Sequence, residues 1–445
     1  MTYLKFRGRV AWFALALAVG VCGCVRPGDM DVNDMYRLQQ SILARSPQNR
    51  PTEGLGLMRP MSRDLPLLKI TKDTKTGQRS IQLELREAVM RALANNVDIA
   101  VVSYDPQIAH EQVVQAAAAF DYVLFGSLGY SSTDLAVNHL NFRGVAKNRT
   151  YQFGVREQTI TGAQWQISNT FVRSWDDATT GRWYQNDLDI QVTQPLLRDA
   201  WPEFNLASLR IARLNHKITM SQFRQQVEET VTQVIATYYQ LIQARREVEI
   251  AQELLVKTKK TYKQVIGRRH IDATKVNRTQ ALAAVKRREV FEVQAKKVLQ
   301  DTQDALARLL SDNQINLLQE YKIIPTTPMS HHPVKIDQTD QLLTALRLNP
   351  QLEQARLGIQ QADINVRVAK NQTLPSLNIT AGTTLNGASR ASRGVVWDDV
   401  WSGRFISYNA ALEFEYPIGN RERRALLAES RLGRKKAISQ MRNVA

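Results

Sequence analysis

Apolar residues recur at helical spacing through the middle of the chain. Between residues 205 and 310 one set repeats every seven residues, and a shorter set runs beside it. The first set comprises Val227, Val234, Leu241, Val248, Leu255 and Tyr262, and the second Val231 and Tyr238. Six consecutive heptad positions are typical of a coiled coil. We therefore predict a helical hairpin over residues 200–311, with a first helix on the order of 90 Å long.

The hairpin turn is predicted at the one interruption of this pattern. Gly267 would end the first helix and Asp272 would cap the second, because glycine favours helix C-termini and aspartate favours N-caps. The tip would therefore include Val265, Gly267, Arg268, Arg269 and Asp272. The apolar pattern then resumes, and we expect its members to pack in the same coiled coil. They are Val276, Leu282, Val290, Phe291, Val298, Leu299, Leu306 and Leu309.

A second kind of segment alternates apolar and polar residues, which is typical of strands. It covers residues 122–194 and 376–416. Segments of about ten such residues fit transmembrane β-barrel strands, although a half-buried soluble sheet gives the same alternation. The first stretch is long enough for two strand pairs, and the additional pair would be either barrel strands or extracellular extensions. Four tryptophans flank the connecting loops, where an aromatic girdle would lie: Trp175, Trp183, Trp397 and Trp401.

The order helix, strands, proline and long helix occurs twice along the chain. Transitions between helix and strand are predicted at Asp121, Pro195, Pro375 and Pro417. Both copies carry an Ala-Leu-x-x-Asn motif, in helical segments predicted from Ser80 to Asn96 and over 340–372. The predicted boundaries are a first repeat over 81–311, a linker over 312–338, and a second repeat over 339–445 with strands 376–416 and a helix 420–445.

The N-terminus has the pattern of a bacterial lipoprotein signal. Basic residues precede a short apolar run that is too short to span a bilayer, and the run ends Val21-Cys22-Gly23-Cys24. We predict a signal peptide over 1–23, lipid attached to Cys24, and an extended tether over 24–80. An ordinary signal peptide with two incidental cysteines is the alternative.

Composition excludes several classes of function. The formal net charge is +17, but an exported chain rarely meets nucleic acid, and no aromatic residues alternate with the basic ones. Both cysteines lie in the N-terminal segment, so the rest of the chain cannot form a disulfide. No nucleophile elbow, phosphate loop or zinc-protease motif occurs in the sequence. His331 and His332 could bind a metal, although a solvated loop pair is the simpler interpretation. We expect no enzyme activity, no metal and no cofactor.

Taken in order, these motifs resemble the outer-membrane efflux protein family typified by TolC. The matching features include the lipobox at Cys24, Gln194-Pro195-Leu196-Leu197-Arg198, Leu346-x-x-Asn349-Pro350-x-Leu352 and Leu374-Pro375-Ser376-Leu377. The resemblance implies an α+β membrane protein, in which three protomers share one transmembrane β-barrel. Their helices would continue it as a long periplasmic coiled-coil barrel.

The resemblance also implies partners and a location. The chain would be a homotrimeric, passive duct in the outer membrane of a Gram-negative-type bacterium, in contact with outer-membrane lipid. A periplasmic adaptor and an inner-membrane pump would complete an efflux or type I secretion system. Basic clusters beside the tip, such as Lys257 to Lys263 and Arg268-Arg269, would be a solvated surface, an adaptor contact or part of a cationic lumen.

Two other interpretations stay open from the sequence. A lipid-anchored periplasmic scaffold could combine a coiled coil with a soluble sheet and form no pore. In addition, Pro417 corresponds to Pro195, so the second repeat stops before the counterpart of most of the first repeat's hairpin. The chain would then be a fragment of a longer product, or a truncated and non-functional one.

Overall fold

The structure is a computed structural model, and it describes most of the chain after residue 69. The described residues are 70–72, 79–135, 144–176, 181–268, 274–312, 315, 321–328, 337–390 and 392–445. They belong to one compact unit, Arg63–Ala445. Cys24 and residues 24–69 of the tether predicted over 24–80 lie outside the described residues.

The largest sheet has six antiparallel strands in the order β3-β4-β5-β6-β8-β9. The strands are β3 Val123–Leu135, β4 Gly144–Gln158, β5 Gln164–Asp176, β6 Gly181–Pro195, β8 Ser376–Ser389 and β9 Ile406–Glu415. All four strands between 122 and 194 therefore belong to the same sheet as the two later ones. Strands β6 and β8 pair with each other although the long helices separate them in the sequence. Strands β3 and β9 form the two edges of the sheet.

A pair of long helices leaves the sheet and forms a hairpin. After α1 Leu85–Asn95, α2 Val97–Val102, α3 Tyr104–Ala117 and α4 Pro202–Asn205 come the hairpin helices α5 Ala207–Gly267 and α6 Lys275–Leu310. The 61 residues of α5 give a length of about 90 Å. Its buried residues include Val234, Tyr238, Leu241, Val248 and Leu255 of the predicted heptad sets.

A small sheet packs against the middle of this hairpin. It consists of β1 Ile70–Lys72, β2 Arg79–Leu83 and β7 Tyr321–Pro325, with β2 and β7 parallel. Ile81 and Leu83 are fully buried against the hairpin, and the Tyr238 hydroxyl donates to the Leu83 carbonyl at 2.9 Å. Two predictions are corrected here. Residues 79–83 form a strand rather than the start of a helix, and the linker over 312–338 contributes β7 to a packed sheet.

The remaining helices lie in the second half of the chain. They are α7 Gln338–Leu348, α8 Pro350–Gln372, α9 Arg393–Ser402 and α10 Arg421–Val444. The single helix predicted over 340–372 is wrong: Asn349 is extended and caps α8, because a residue that precedes proline avoids helical backbone. Helix α8 packs against both α5 and α10, just as α3 packs against α5. An ion pair between Arg434 and Asp363 joins α10 to α8.

Candidate membrane-facing sheet and helical hairpin

One face of the six-stranded sheet is predominantly apolar, with Asn169 and Asn186 among its few polar residues. The pairing register places Leu124, Val155, Ile167 and Ile190 in one row. The neighbouring rows of this face contain Leu128, Tyr151, Phe153, Phe171, Leu188, Leu385, Ile406, Tyr408, Leu412 and Phe414. Many of these side chains are open in the single chain: Leu128 is 82% exposed and Leu412 is 67% exposed. This face therefore needs an apolar neighbour.

The opposite face of the same sheet is polar. Gln152, Thr170, Gln185, Thr384 and Ser407 are typical of it. Its charged side chains, among those described, are Arg156, Asp187, Asp189, Glu413 and Glu415, so carboxylates are in excess. Thr384 donates to Asp189 at 2.8 Å, and Gln185 donates to Asp187 at 2.7 Å. The two faces of the sheet therefore differ in polarity: one suits an apolar neighbour and the other suits water.

Aromatic residues mark both ends of the apolar face. Near the helices, the Tyr122 and Trp165 rings lie 6.0 Å apart, and the Trp165 indole donates to Glu157 at 2.7 Å. At the loop end Trp175 lies on the same face, with Lys147 4.9 Å from its ring centre. Trp165 and Trp175 are ten residues apart on β5, which is about 33 Å along the strand and about 25 Å along the normal at a tilt of ~40°. That is the height of a membrane band.

The loop-end tryptophans do not all share this face. Trp183 pairs with Ser174 on the polar face, so the register corrects its assignment to an outward girdle. Trp397 and Trp401 belong to α9, which packs on the apolar face through Val396 and Val400. This close approach depends on Gly387, since a Cβ there would lie 2.3 Å from the Val396 carbonyl oxygen.

Three of the four predicted junctions meet where the sheet joins the helices. The Leu196 amide, next to Pro195, donates to Leu377 at 2.8 Å, and the Arg198 amide donates to Pro375 at 3.2 Å. Beside Pro417, the Asn420 side chain donates to the Thr373 carbonyl at 2.9 Å.

The fourth junction, Asp121, follows a 3₁₀ turn and forms no described hydrogen bond to the other three. A residue without a sequence signal organises this region. The Asp199 amide donates to Asn371, and its carboxylate accepts from Gln372. Asp199 adopts a left-handed φ of 63°.

At the other end of the hairpin, α5 stops at Gly267 with Arg268 as its C-cap residue, and both are exposed. Val265 is half-buried, whereas Arg269 and Asp272 lie outside the described residues. The predicted cap is wrong: α6 begins after Thr274, whose hydroxyl accepts from the Asn277 amide at 3.2 Å. Threonine satisfies the free helical amide as aspartate would.

The second helix of the hairpin carries two apolar stripes. Val285, Ala295, Leu306 and Leu310 are buried, as the packing of α6 on α5 requires. Several residues that the sequence assigned to the coiled-coil interior are instead exposed in the single chain: Val276, Leu282, Val290, Phe291 and Val298. Four of them, Val276, Val290, Phe291 and Val298, follow one side of α6 at helical spacing, so this stripe lies outside the contact with α5 and is open to a neighbour.

The basic clusters of the hairpin are partly neutralised. Lys259 on α5 reaches Glu289 on α6 at 3.3 Å, Lys286 reaches the same carboxylate at 2.9 Å, and Lys257 pairs with Glu253 at 2.6 Å. Hydrogen bonds from Lys286 and then Lys259 hold the pKa of Glu289 below its ordinary value. Lys260, Lys263, Arg287 and Arg288 form no ion pair with the described acidic residues.

The described residues contain no group of three or more His, Cys, Asp or Glu side chains that could hold a metal ion. In the same part of the chain, no helix has both the length and the apolar character needed to cross a membrane.

The six-stranded sheet thus has one apolar face and one polar face, and a long helical hairpin continues from it. Residues 342–444 match the family of outer membrane efflux proteins, which confirms the resemblance predicted from the sequence. Among curated proteins, none matches the chain significantly.

Solved structures of outer-membrane channels share the fold. The CmeC outer membrane channel of Campylobacter jejuni is 17% identical, with 81% of this chain and 67% of that chain covered and a TM-score of 0.57. The outer membrane protein VceC of Vibrio cholerae is 14% identical, with 81% and 74% covered and a TM-score of 0.53. The open state of the MtrE outer membrane channel of Neisseria gonorrhoeae is 14% identical, with 81% of this chain and 69% of that chain covered and a TM-score of 0.53.

Proposed function

We propose that this chain is one subunit of a trimeric efflux or secretion channel in the outer membrane, a passive duct without chemistry of its own. The observation that carries the proposal is the apolar face of the six-stranded sheet. Leaving a large apolar side chain in water rather than burying it costs about 1.5–3 kcal/mol. Several such residues are mostly exposed on this face, including Leu124, Leu128, Leu412 and Phe414. Membrane lipid would cover all of them.

The two open edges of the sheet favour a barrel that several copies of the chain share. In hydrocarbon an unpaired strand edge is prohibitive, because each unsatisfied backbone group costs several kcal/mol. With six antiparallel strands, β3 and β9 run in opposite directions, so β9 of one copy can pair antiparallel with β3 of the next. Rotational symmetry can then close a ring, and three copies would supply eighteen strands.

The hairpin supports the same assembly. The exposed stripe from Val276 to Val298 on α6 would pack against the hairpin of the adjacent subunit and build a helical tube below the barrel. We infer that residues 81–311 and 339–445 are two copies of one repeat, since α3 packs on α5 and α8 packs on α10 in the same way.

The partners follow from the ends of this assembly. Cys24 would carry the lipid anchor, and the tip around Gly267 would meet a periplasmic adaptor that connects the tube to an inner-membrane pump. The unpaired lysines and arginines near the tip, such as Lys260, Lys263 and Arg287, would face an acidic adaptor surface.

Reconstitution tests the proposal. Purified chain added to planar bilayers should give stepwise conductance, and cross-linking of the same sample should give trimers. A cysteine pair placed on β3 and β9 should form disulfide-linked chains only between different copies. Persistent absence of conductance, with the chain soluble and not inserted in vesicles, would favour the periplasmic scaffold and refute the channel.

A further inference from the structure

The apolar face of the sheet ends in a band of basic residues at its loop end. Two neighbouring rows of the register contain them. In the first row Arg149 and Arg173 lie between Tyr130 and Tyr184, and in the second Lys147, Trp175 and Arg182 follow one another. Helix α9 adds one more, with the Arg393 guanidinium 5.8 Å from the centre of the Tyr184 ring. We call Lys147, Arg149, Arg173, Arg182 and Arg393 the basic rim.

The charges of the basic rim are not compensated within the described chain. None of its five residues forms an ion pair with a described acidic side chain, and four of them are exposed, with Arg173 half-buried. The acidic residues of α9 do not balance them, because Asp399 lies by Arg404 at 3.9 Å and Asp398 points to solvent. Arg149 and Arg173 face each other on adjacent strands, an arrangement that is unfavourable without an anion between them.

The depth of the rim in the membrane follows from independent features. The Lys147–Trp175–Arg182 row of the rim lies about 25 Å above the Tyr122–Trp165 pair along the normal, and the Arg149–Arg173 row lies about 5 Å below it. Between the Tyr122–Trp165 pair and the Arg149–Arg173 row the apolar face presents no described charged side chain. Trp401 of α9 lies at the same end and is 74% exposed, as is common for tryptophan at the level of lipid headgroups. The cations therefore lie beside headgroups rather than in hydrocarbon or in the lumen.

We propose that the basic rim binds the phosphate groups of lipid A, the bisphosphorylated glycolipid of the outer leaflet. This inference rests on the proposed function, which places the loop end of the sheet on the outer side. Guanidinium groups hold phosphate through paired hydrogen bonds, and adjacent strands space Arg149 and Arg173 by about 5 Å. A headgroup with two phosphates on one rigid disaccharide can span both rows of the rim. The single phosphate of phosphatidylglycerol can engage only part of them.

Native mass spectrometry of the full-length assembly in detergent tests this binding. The probes are bisphosphorylated lipid A, phosphatidylglycerol and phosphatidylcholine at equal concentration. We expect the wild-type chain to retain lipid A preferentially and the R149Q/R173Q variant to retain it about 30-fold more weakly, because each basic residue near an anionic lipid contributes a factor of about five. Two controls follow: R149K/R173K should lose only a few-fold, and Arg156→Gln, on the polar face of β4, should bind as the wild type does.

The possible results separate the inference from the proposed function. Equal retention of lipid A by the wild type and R149Q/R173Q overturns the inference, as does equal retention of phosphatidylglycerol and lipid A by the wild type. Conductance in phosphatidylcholine bilayers is measured on the same samples. Normal conductance with no lipid A preference would reject only the rim, whereas failure to insert in any bilayer would reject the channel itself. If R149Q/R173Q does not assemble, the lipid A retention of R149K/R173K and the preference of the wild type for lipid A over phosphatidylglycerol still test the inference.

Discussion

A cation placed at the middle of the apolar face would test which solvent that face meets. Phe153 lies near the middle of β4, four residues from Glu157 and six from Lys147, and it is 54% exposed. Arginine at the midplane of a barrel's lipid face costs about 2–4 kcal/mol. We therefore expect Phe153→Arg to lower the folding equilibrium constant in vesicles by a factor of about 30 to 900. Its neighbour Gln152 lies on the polar face of β4, so Gln152→Arg serves as the matched control and should cost much less.

The assay is urea titration of the chain folded into phosphatidylcholine vesicles, followed by tryptophan fluorescence and by the resistance of trimers to detergent. The contrast between the two variants carries the information, because both introduce the same charge into the same strand. If Phe153→Arg folds as well as Gln152→Arg, the apolar face meets water or protein rather than hydrocarbon. The barrel would then be wrong, and the soluble sheet would be the better interpretation.

Further predictions concern close packing, lumen charge and acid sensitivity. Gly154→Val should destabilise the sheet by about 1–3 kcal/mol in thermal unfolding, because a Cβ there would lie 2.6 Å from the Ile167 carbonyl oxygen. Gly129→Ala should destabilise it much less, because the atom nearest to a Cβ at that position is 3.7 Å away. Replacing Asp187 and Asp189 by Asn should lower the preference for cations over anions, measured as the reversal potential in a KCl gradient, while Asp98→Asn on α2 should leave it unchanged. The lowered pKa of Glu289 means that its ion pairs stabilise the hairpin above its unfolded pKa of 4.5, and this contribution is lost as the pH falls through the lowered value. The thermal midpoint of Glu289→Gln should therefore lie below that of the wild type near pH 7 and approach it near pH 3, whereas a gap that persists in acid would contradict the ion-pair explanation.

The positions of the long helices and of the main strands could be predicted, because periodicity over ten or more residues reports directly on which side of an element is buried. The heptad at Val234, Leu241 and Val248 is an example. The small sheet could not be predicted: β2 has five residues, and its parallel partner β7 is more than 200 residues away. Short strands carry too few alternations to be distinguished from the start of a helix, as happened before Leu85.

The candidate site was only partly predictable for a related reason. Proline and glycine mark changes of backbone direction, so Pro195, Pro375 and Gly267 lie at observed transitions. The sequence gives no signal for Asp199, because its role depends on Asn371 and Gln372, which the fold brings to it. The basic rim was missed as well, since Arg149 and Arg173 become neighbours only through the strand register.

The two sets of apolar residues that the single chain leaves exposed require different partners, and their surroundings decide which. On the sheet, the rows between the Trp165 row and the Arg149–Arg173 row contain no described charged side chain on the apolar face, so hydrocarbon can cover them. On α6, the exposed Val290 and Phe291 follow the charged run Lys286-Arg287-Arg288-Glu289. A surface so mixed cannot enter hydrocarbon without burying cations, but it suits a helix–helix seam with charged edges. Substituting Val290 and Phe291 by Ser should therefore weaken trimers without reducing the insertion of the sheet, and cross-linking beside vesicle flotation measures the two effects separately.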